Sequence, residues 1–502
     1  MLDSFLETNI QNKAKILSIL HSNTTISHKK LCSVVHLSPQ STFLLIDELN
    51  SDITGLGEIK RSTEYFSFVS SESTNFFRLF QAICAKSSIL HCLKFMILND
   101  TNKPFSLFIE EAYLTKSSGY RIRQNCCEYL HRIGLDMKNN YVIGDEYRIR
   151  FLIALLHYKY GVDCYEMDGE SLQMIRKFIL STNKVIDLLY IEQTEHEYGY
   201  FEYLVMLSWK RFKYPISPFC SKQLERLKTI FIYGEMKQAL KNILESALQI
   251  EFSENDYDYL YLVYCCTNNC LFADKWTQDD IALVHNLVFS DRTFNDLLQR
   301  LASLFPQKII ASHAFRSTLI YFYKKCLMQL QCIIPDKNFF VITKKDSLTT
   351  LLIQQLANLL NTWRKANGIK YEIDHNHLFY LSIQMVFILR QFIPPIPVLI
   401  LSDLNAELEV MQLYFTRNFS SQKITIHPLL LNAQQKDILF SAKNSVIIVH
   451  QKFKSIIHSL GLEKCNTVVL ITVEITENEI NMIRNAIADY EKIAFLEFIN
   501  VH

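Results

Sequence analysis

Glycine and proline are scarce in this sequence, with 11 glycines and 10 prolines among 502 residues. Both residues interrupt regular helices, so their scarcity argues against a fold of many tight turns and predicts long helices. Hydrophobic residues make up 49% of the chain and aromatic residues 12%. Such a composition excludes a disordered chain, and the length predicts about three to five domains. We therefore expect a mostly α, multidomain protein.

Long apolar runs and a charge excess of one sign are also missing. The formal net charge is +1, so any nucleic-acid binding has to come from a local surface. No uninterrupted apolar run reaches the length of about 18 residues that spans a bilayer. The N-terminal segment MLDSFLETNI lacks the pattern of a signal peptide. Scattered, unpaired cysteines fit reduced thiols. These features predict a cytoplasmic protein without a membrane partner.

Catalytic and metal-binding motifs are absent as well. The chain has no Walker loop, Rossmann glycine fingerprint, HExxH, GxSxG or paired CxxC. Cys265, Cys266 and Cys270 lie in an apolar run without matching histidines, which indicates core thiols. His375 and His377 alone do not fill a metal's coordination shell. We expect no enzymatic activity, no cofactor and no metal.

Residues 1–70 carry the pattern of a winged helix-turn-helix unit: three helices and then a strand pair, the wing, over residues 57–69. Ser27 and Ser38 can cap the second and third helices, and Pro39 suits the first helical position. A helix-turn-helix presents the N-terminus of its second helix to base edges. The candidate DNA contacts in this unit are Ser38, Gln40, Ser41 and Thr42.

Residues 71–163 repeat this plan. The pattern predicts one long helix over 75–98, a short helix near Ser106, a turn, a reading helix from about Ser117 to Ile133, and a hairpin turn at Asn139-Asn140. Arginine and glutamine make bidentate contacts to guanine and adenine. The candidate base contacts are Ser117, Ser118, Tyr120, Arg121, Arg123 and Gln124, and the candidate phosphate contacts are Lys138, Arg148, Arg150 and Lys159.

The two units differ in charge. Residues 1–70 hold six Lys and Arg against seven Asp and Glu, whereas residues 71–160 hold twelve against eight, a balance of +4. Because phosphate affinity grows with the number of cations, we expect the second unit to supply most of the non-specific affinity for DNA.

The remaining chain divides into two helical repeats, 164–275 and 276–393, and an α/β domain, 394–502. The segments 256–261 and 374–379 match without gaps at an offset of 118 residues, which suggests a duplicated unit. Closely spaced prolines at 394–397 mark a domain edge. Apolar strands near 398–401, 423–426, 446–449 and 468–473 alternate with helices, which predicts a parallel sheet.

The segments 27–42 (SHKKLCSVVHLSPQST) and 113–124 (YLTKSSGYRIRQ) resemble the tandem DNA-binding domains of the Mga/AtxA family, global and virulence regulators of Gram-positive bacteria. The resemblance extends over the order of parts in the whole chain. It implies two phosphotransferase regulation domains (PRDs) in the helical repeats and a C-terminal domain similar to the enzyme IIB component (EIIB) of sugar permeases. It also implies a homodimer, joined through the C-terminal domain and the PRDs, that binds double-stranded promoter DNA.

The resemblance further implies phosphorylation of PRD histidines by the phosphocarrier protein HPr. The segment 256–264 of the first repeat contains no histidine, whereas the second repeat offers His375 and His377. The alternative is an exposed helix cap with two ordinary histidines. An active EIIB domain carries a cysteine after its first strand, but Ser402 follows residues 398–401 here. This domain is therefore interpreted as a degenerate copy used for dimerisation or protein contacts.

Two other functions stay open at this point. The chain could be a helical scaffold or adaptor that binds only proteins, with its N-terminal units as contact modules. A phosphotransfer enzyme is the third alternative, and the missing cysteine argues against it.

Overall fold

The computed structural model describes residues 2–23, 25–71, 74–183, 195–336, 347–420, 423–431, 443–472 and 475–500. The fold is mostly helical, as predicted, and has two compact units. The first comprises Met1–Leu297, Leu319–Lys345 and Leu356–Leu381; the second comprises Leu298–Thr318, Asp346–Gln355 and Ser382–His502.

The chain begins with a three-helix arrangement and a small antiparallel sheet in the order β1-β3-β2. The Ser27 hydroxyl accepts a hydrogen bond from the Lys30 N–H, and that of Ser38 accepts one from the Ser41 N–H. Both predicted caps are confirmed. The elements are α1 (Thr8–Ser22), β1 (Thr25–Ser27), α2 (His28–Val35), α3 (Pro39–Asp52), β2 (Gly57–Arg61) and β3 (Tyr65–Ser70).

The second arrangement follows directly and shares one continuous hydrophobic core with the first. Its elements are α4 (Phe76–Cys84), α5 (Ser88–Leu98), α6 (Phe105–Glu111), α7 (Lys116–Arg132), β4 (Asp136–Lys138), β5 (Tyr141–Ile143) and α8 (Glu146–Tyr160).

The single helix predicted over 75–98 is wrong, because α4 and α5 meet at an angle of 76°. Ser87 lies at the bend. Its buried hydroxyl accepts from the Leu90 N–H at 3.3 Å and donates to the Glu7 carboxylate at 2.7 Å. A serine hydroxyl that bonds backbone groups starts a new helix here. Within the described residues, no single helix is long and apolar enough to cross a membrane; α4 and α5 meet that criterion only as a bent pair.

Helix α8 forms the centre of the first compact unit, and thirteen of its fifteen residues are buried. A helix that is buried on all sides is a core element. The Glu146 carboxylate accepts hydrogen bonds from Arg150 Nε at 3.0 Å and from Arg211 Nε at 2.6 Å. Because Arg211 follows a helix of the first repeat, this ion cluster joins the N-terminal region to that repeat.

Both repeats consist of helices. Tyr259 and His377, which are 118 residues apart, are both buried, at 0% and 2% exposure. The helices are α9 (Gly169–Thr182), α10 (Glu195–Lys210), α11 (Lys222–Leu227), α12 (Phe231–Leu240), α13 (Glu254–Cys266), α14 (Gln278–Phe289), α15 (Arg292–Leu301), α16 (Gln307–Ile310), α17 (His313–Tyr323), α18 (Ser347–Ala366) and α19 (His375–Arg390).

The second compact unit contains the predicted parallel sheet, which is confirmed with the strand order β7-β6-β8-β9. Leu408, Phe415 and Ile483 pack against one face of the sheet, and Phe453 and Ile457 pack against the other. The elements are β6 (Ile396–Ser402), α20 (Asn405–Asn418), β7 (Ile424–Leu430), β8 (Val446–His450), α21 (Lys454–Ser459), β9 (Thr467–Ile471) and α22 (Glu477–Asn500).

Replacing Glu146 by glutamine tests the ion cluster. Arg150 and Arg211 are fully buried, and a buried cation that loses its carboxylate costs about 3–5 kcal/mol. We expect a clear drop in the midpoint of the thermal transition measured by calorimetry. The control Glu170→Gln alters an exposed carboxylate on α9 and should leave the midpoint nearly unchanged. Equal midpoints for the two variants would contradict the structural role of Glu146.

Candidate nucleic-acid interface

Helices α6 and α7 form a tight helix-turn-helix. A Cβ atom at Gly119 would lie 2.5 Å from Cγ1 of Ile109, so the two helices approach as closely as a glycine allows. The turn reverses at Tyr113, whose φ of 51° is left-handed and whose side chain is 96% exposed. The Leu114 N–H donates to the Ile109 carbonyl at 2.9 Å and closes the turn.

The reading helix α7 begins one residue before the predicted start. The Thr115 hydroxyl accepts from the Ser118 N–H at 3.2 Å and caps the helix. Lys116 is the first helical residue and is exposed. Neither residue was among the predicted contacts, although threonine is one of the residues preferred at a helix N-cap. No acidic residue lies in the first turn, which leaves the helix N-terminus suited to phosphate.

One face of α7 is exposed and polar. The structure places Ser117, Tyr120, Arg121 and Gln124 there, while Ser118 is half-buried. Their spacing of three or four residues puts them on one side of the helix. The opposite side contains the residues predicted to be buried, all of which are: Ile122, Cys126, Tyr129, Leu130 and Ile133.

Arg123 connects the reading helix to the neighbouring hairpin. Its Nε donates to Asn140 Oδ1 at 3.0 Å, which makes Arg123 a positioning residue. Asn139 and Asn140 have φ values of 49° and 60°, as a two-residue hairpin turn requires. The predicted turn is therefore confirmed. Lys138 ends β4 immediately before this turn and is exposed, so it lies close to the hairpin tip beside α7.

Three predicted phosphate contacts are wrong. Arg148 and Arg150 lie in the core, where Arg148 Nη1 donates to the Ile133 carbonyl at 2.9 Å and Arg150 pairs with Glu146. Lys159 is also buried and lies 2.6 Å from the Asp3 carboxylate. These cations are engaged inside the protein because α8 is a core helix: Arg150 and Lys159 pair with carboxylates, and Arg148 donates to backbone carbonyls.

The available charge of the second arrangement is consequently smaller than its composition indicates. Without Arg148, Arg150, Lys159 and the buried Glu146, residues 71–160 hold nine cations against seven carboxylates. The balance thus falls from +4 to +2, and the expected contribution to phosphate affinity falls with it.

Helix α3 of the first arrangement presents a different surface. Gln40 and Ser41 are exposed, and the Ser38 hydroxyl lies 2.8 Å from that of Ser41. Thr42 is fully buried and donates to the Ser38 carbonyl at 2.9 Å. The predicted base contact at Thr42 is therefore wrong, because its hydroxyl is used inside the helix. Leu44 is 59% exposed on the same helix.

The two candidate histidines lie in different environments. His375 is the first residue of α19 and is exposed. His377 is buried, and its Nδ1 lies 2.9 Å from Asp336 Oδ2, which also lies 2.7 Å from Lys325 Nζ. Burial alone raises the pKa of Asp336, but His377 and Lys325 outweigh it and hold that pKa well below its usual range. His377 is thus part of a buried ion cluster, and its Nδ1 is already engaged.

The end of strand β6 carries oxygen-rich side chains. The Ser402 hydroxyl is hydrogen-bonded to the Glu407 carboxylate and accepts from the Leu404 N–H at 3.2 Å. Asp403 pairs with Lys452 at 3.0 Å. Two carboxylates beside Ser402 disfavour a bound phosphate. Across the described ranges, no group of three or more His, Cys, Asp or Glu side chains could hold a metal ion.

Two family models match this chain. The Mga helix-turn-helix domain matches residues 73–157, and the M protein trans-acting positive regulator (MGA) PRD domain matches residues 171–391. The chain belongs to the Mga family of PRD-containing regulators. The first match contains the whole of α7 and its neighbouring hairpin, and the second covers most of both repeats. The predicted family is confirmed. A comparison with curated proteins gave no match.

Gly119→Ala tests the packing of the Mga helix-turn-helix. The added methyl group meets Ile109 at a distance that real side chains do not tolerate, so either the Ile109 side chain or the two helices must shift. We expect a loss of about 1–3 kcal/mol, seen as a lower unfolding midpoint by calorimetry.

Gly234→Ala is the matched control, because Gly234 lies in α12 with open space around its Cα. Alanine there should raise stability by up to about 1 kcal/mol. Equal responses of the two glycines would contradict the close approach of α6 and α7.

Proposed function

We propose that this chain is a DNA-binding transcription regulator whose helix α7 enters the major groove. The observation that carries the proposal is the exposed face of Ser117, Tyr120, Arg121 and Gln124 on the second helix of the matched helix-turn-helix domain. Arginine and glutamine are the side chains best suited to reading guanine and adenine. Lys116 is exposed in the first turn of α7, which contains no acidic residue, and is placed to meet a phosphate.

The two hairpins act as wings in this proposal. Lys138 near the tip of the β4–β5 hairpin is placed to contact the DNA backbone, and Arg123 holds that hairpin beside α7. In the first arrangement, Gln40 and Ser41 supply base contacts while Lys60 of the β2–β3 hairpin supplies a phosphate contact. The second arrangement contributes most of the sequence recognition, because it combines an arginine and a glutamine on one exposed helix face.

Arg121→Ala combined with Gln124→Ala tests the reading helix. DNA duplexes that the wild-type protein selects from a pool of random sequences serve as ligands. Fluorescence anisotropy measures the affinity of each protein for them at several salt concentrations. Each bidentate base contact discriminates by about 1–3 kcal/mol, so we expect at least a tenfold loss on the selected sequence. The slope of log affinity against log salt should change by less than about one.

The matched control is Arg132→Ala, which removes the same charge near the C-terminal end of α7, where Arg132 pairs with Glu128. It should retain the wild-type preference for the selected sequence. A folded double variant that still binds that sequence like the wild type would remove α7 from the interface.

A scaffold that binds only proteins is the alternative. The balance of only +2 in the second arrangement leaves room for it. Folded protein that binds no duplex DNA even at low salt would favour the scaffold and would contradict the regulator.

The regulatory half of the proposal concerns phosphorylation and self-association. HPr would phosphorylate His375, since His375 is exposed at the start of α19 whereas His377 is buried against Asp336. Phosphate adds charge and acceptor atoms that can shift an interface. The C-terminal unit is proposed to be EIIB-like because of its parallel sheet. It is proposed to serve homodimerisation because no cysteine follows β6 and Leu413 is 72% exposed on α20.

His375→Ala tests the phosphorylation site. Wild-type protein incubated with phosphorylated HPr should carry acid-labile phosphate that mass spectrometry at neutral pH locates on His375, and the variant should carry none. His458→Ala, which removes a histidine whose side chain is 81% exposed in the C-terminal unit, should label like the wild type. An unlabelled wild type, under conditions that label a known PRD, would rule out this regulation.

A further inference from the structure

A cavity of about 520 Å³ lies between helices of the two repeats within the first compact unit. One side is formed by α11, α13 and the segment 267–276, and the other by α14 and the residues around Tyr323. The cavity therefore spans the repeat boundary predicted near residue 275.

The size of the cavity distinguishes it from a packing defect. Protein interiors contain few voids larger than one water molecule, and a water takes up about 30 Å³ in the liquid. Pockets for small molecules measure roughly 300–1,000 Å³. The cavity falls within that range.

The wall is largely aromatic and aliphatic. The rings of Tyr261 and Tyr264 stack with their centroids 6.1 Å apart and 11° between their planes. The Tyr261 hydroxyl is already used, because it donates to the Leu227 carbonyl at 2.6 Å. Trp276 and Val288 complete the apolar lining. Such a surface suits a flat apolar body.

The charged groups of the wall favour an anion. Arg226 and Lys324 line the cavity together with one carboxylate, Asp291. The carboxylate oxygens of Asp291 are already used as hydrogen-bond acceptors. They accept from the Tyr323 hydroxyl at 2.6 Å and from Gln223 Nε2 at 3.2 Å. The lining thus keeps a net positive charge.

Only part of the Arg226 guanidinium is used in hydrogen bonds. Its Nη2 donates to the Leu287 carbonyl at 3.1 Å and to the Ser290 hydroxyl. Its Nε and Nη1 donate to no residue in the described part of the chain. An arginine with unused donors on an apolar wall is suited to binding a carboxylate or a similar anionic group.

We propose that this cavity binds a small aromatic molecule with a single anionic group, whose anionic end meets Arg226. The inference goes beyond the proposed function and requires neither DNA binding nor phosphorylation. Because residues of both repeats line the cavity, a bound ligand contacts both and stabilises the arrangement in which they enclose it.

Anilinonaphthalene sulfonate is a suitable probe, since it combines an aromatic body with one anionic group and fluoresces in apolar surroundings. Titration of the full chain should show saturable binding of one probe per chain. Val288→Trp fills the cavity and should weaken binding at least tenfold. Ala282→Trp places the same side chain at an exposed position of α14 outside the cavity and should bind like the wild type. If Val288→Trp does not fold, Ala273→Trp at the exposed edge of the wall takes its place.

The anionic contact is tested with Arg226→Gln and with uncharged anilinonaphthalene. The variant should lose about tenfold affinity for the sulfonate and stay within twofold for the uncharged probe. The control Lys222→Gln, an exposed cation of α11 outside the cavity, should change neither affinity. Binding that is unaffected by the cavity-filling variants, or an Arg226→Gln effect that is absent or equal for both probes, would overturn the proposal. No DNA takes part, so this failure is separate from a failure of the proposed function.

Discussion

The carboxylate of Glu146 lies between two fully buried guanidinium groups, and the first compact unit depends on that arrangement. Arg150 comes from the same helix, α8, while Arg211 follows α10 of the first repeat. Without the carboxylate both buried arginines would destabilise the core, because an unpaired buried charge costs several kcal/mol. The helix-turn-helix region and the first repeat therefore share one electrostatic centre and one hydrophobic core.

Arg148 extends this centre toward the reading helix. Its guanidinium donates to the Ile133 carbonyl, immediately after α7, and to the Met328 carbonyl of the second repeat. A cation at the C-terminal end of a helix is favourable because it meets carbonyls that lack helical partners. One side chain thus contacts both the end of α7 and the second repeat.

The sequence alone determined the elements that depend on local chemistry. Ser27 and Ser38 cap their helices, Asn139-Asn140 turns the hairpin, and the apolar spacing within α7 identifies its buried face. The parallel sheet follows from apolar strands alternating with helices. These features could be predicted because propensity and periodicity act over a few residues. The exposed face of α7 with Arg121 and Gln124 could be predicted for the same reason.

Only the tertiary structure decided which charged and polar groups are available. Lys159 resembles a surface cation in the sequence, yet it pairs with Asp3, 156 residues away. His377 is buried against Asp336, and the Ser87 hydroxyl reaches Glu7 where one long helix was expected. A helical pattern shows which side chains share a face but not which distant partner covers that face. The exposed face of α7 was therefore predictable, while the charge around it and the cavity between the repeats depended on contacts between remote parts of the chain.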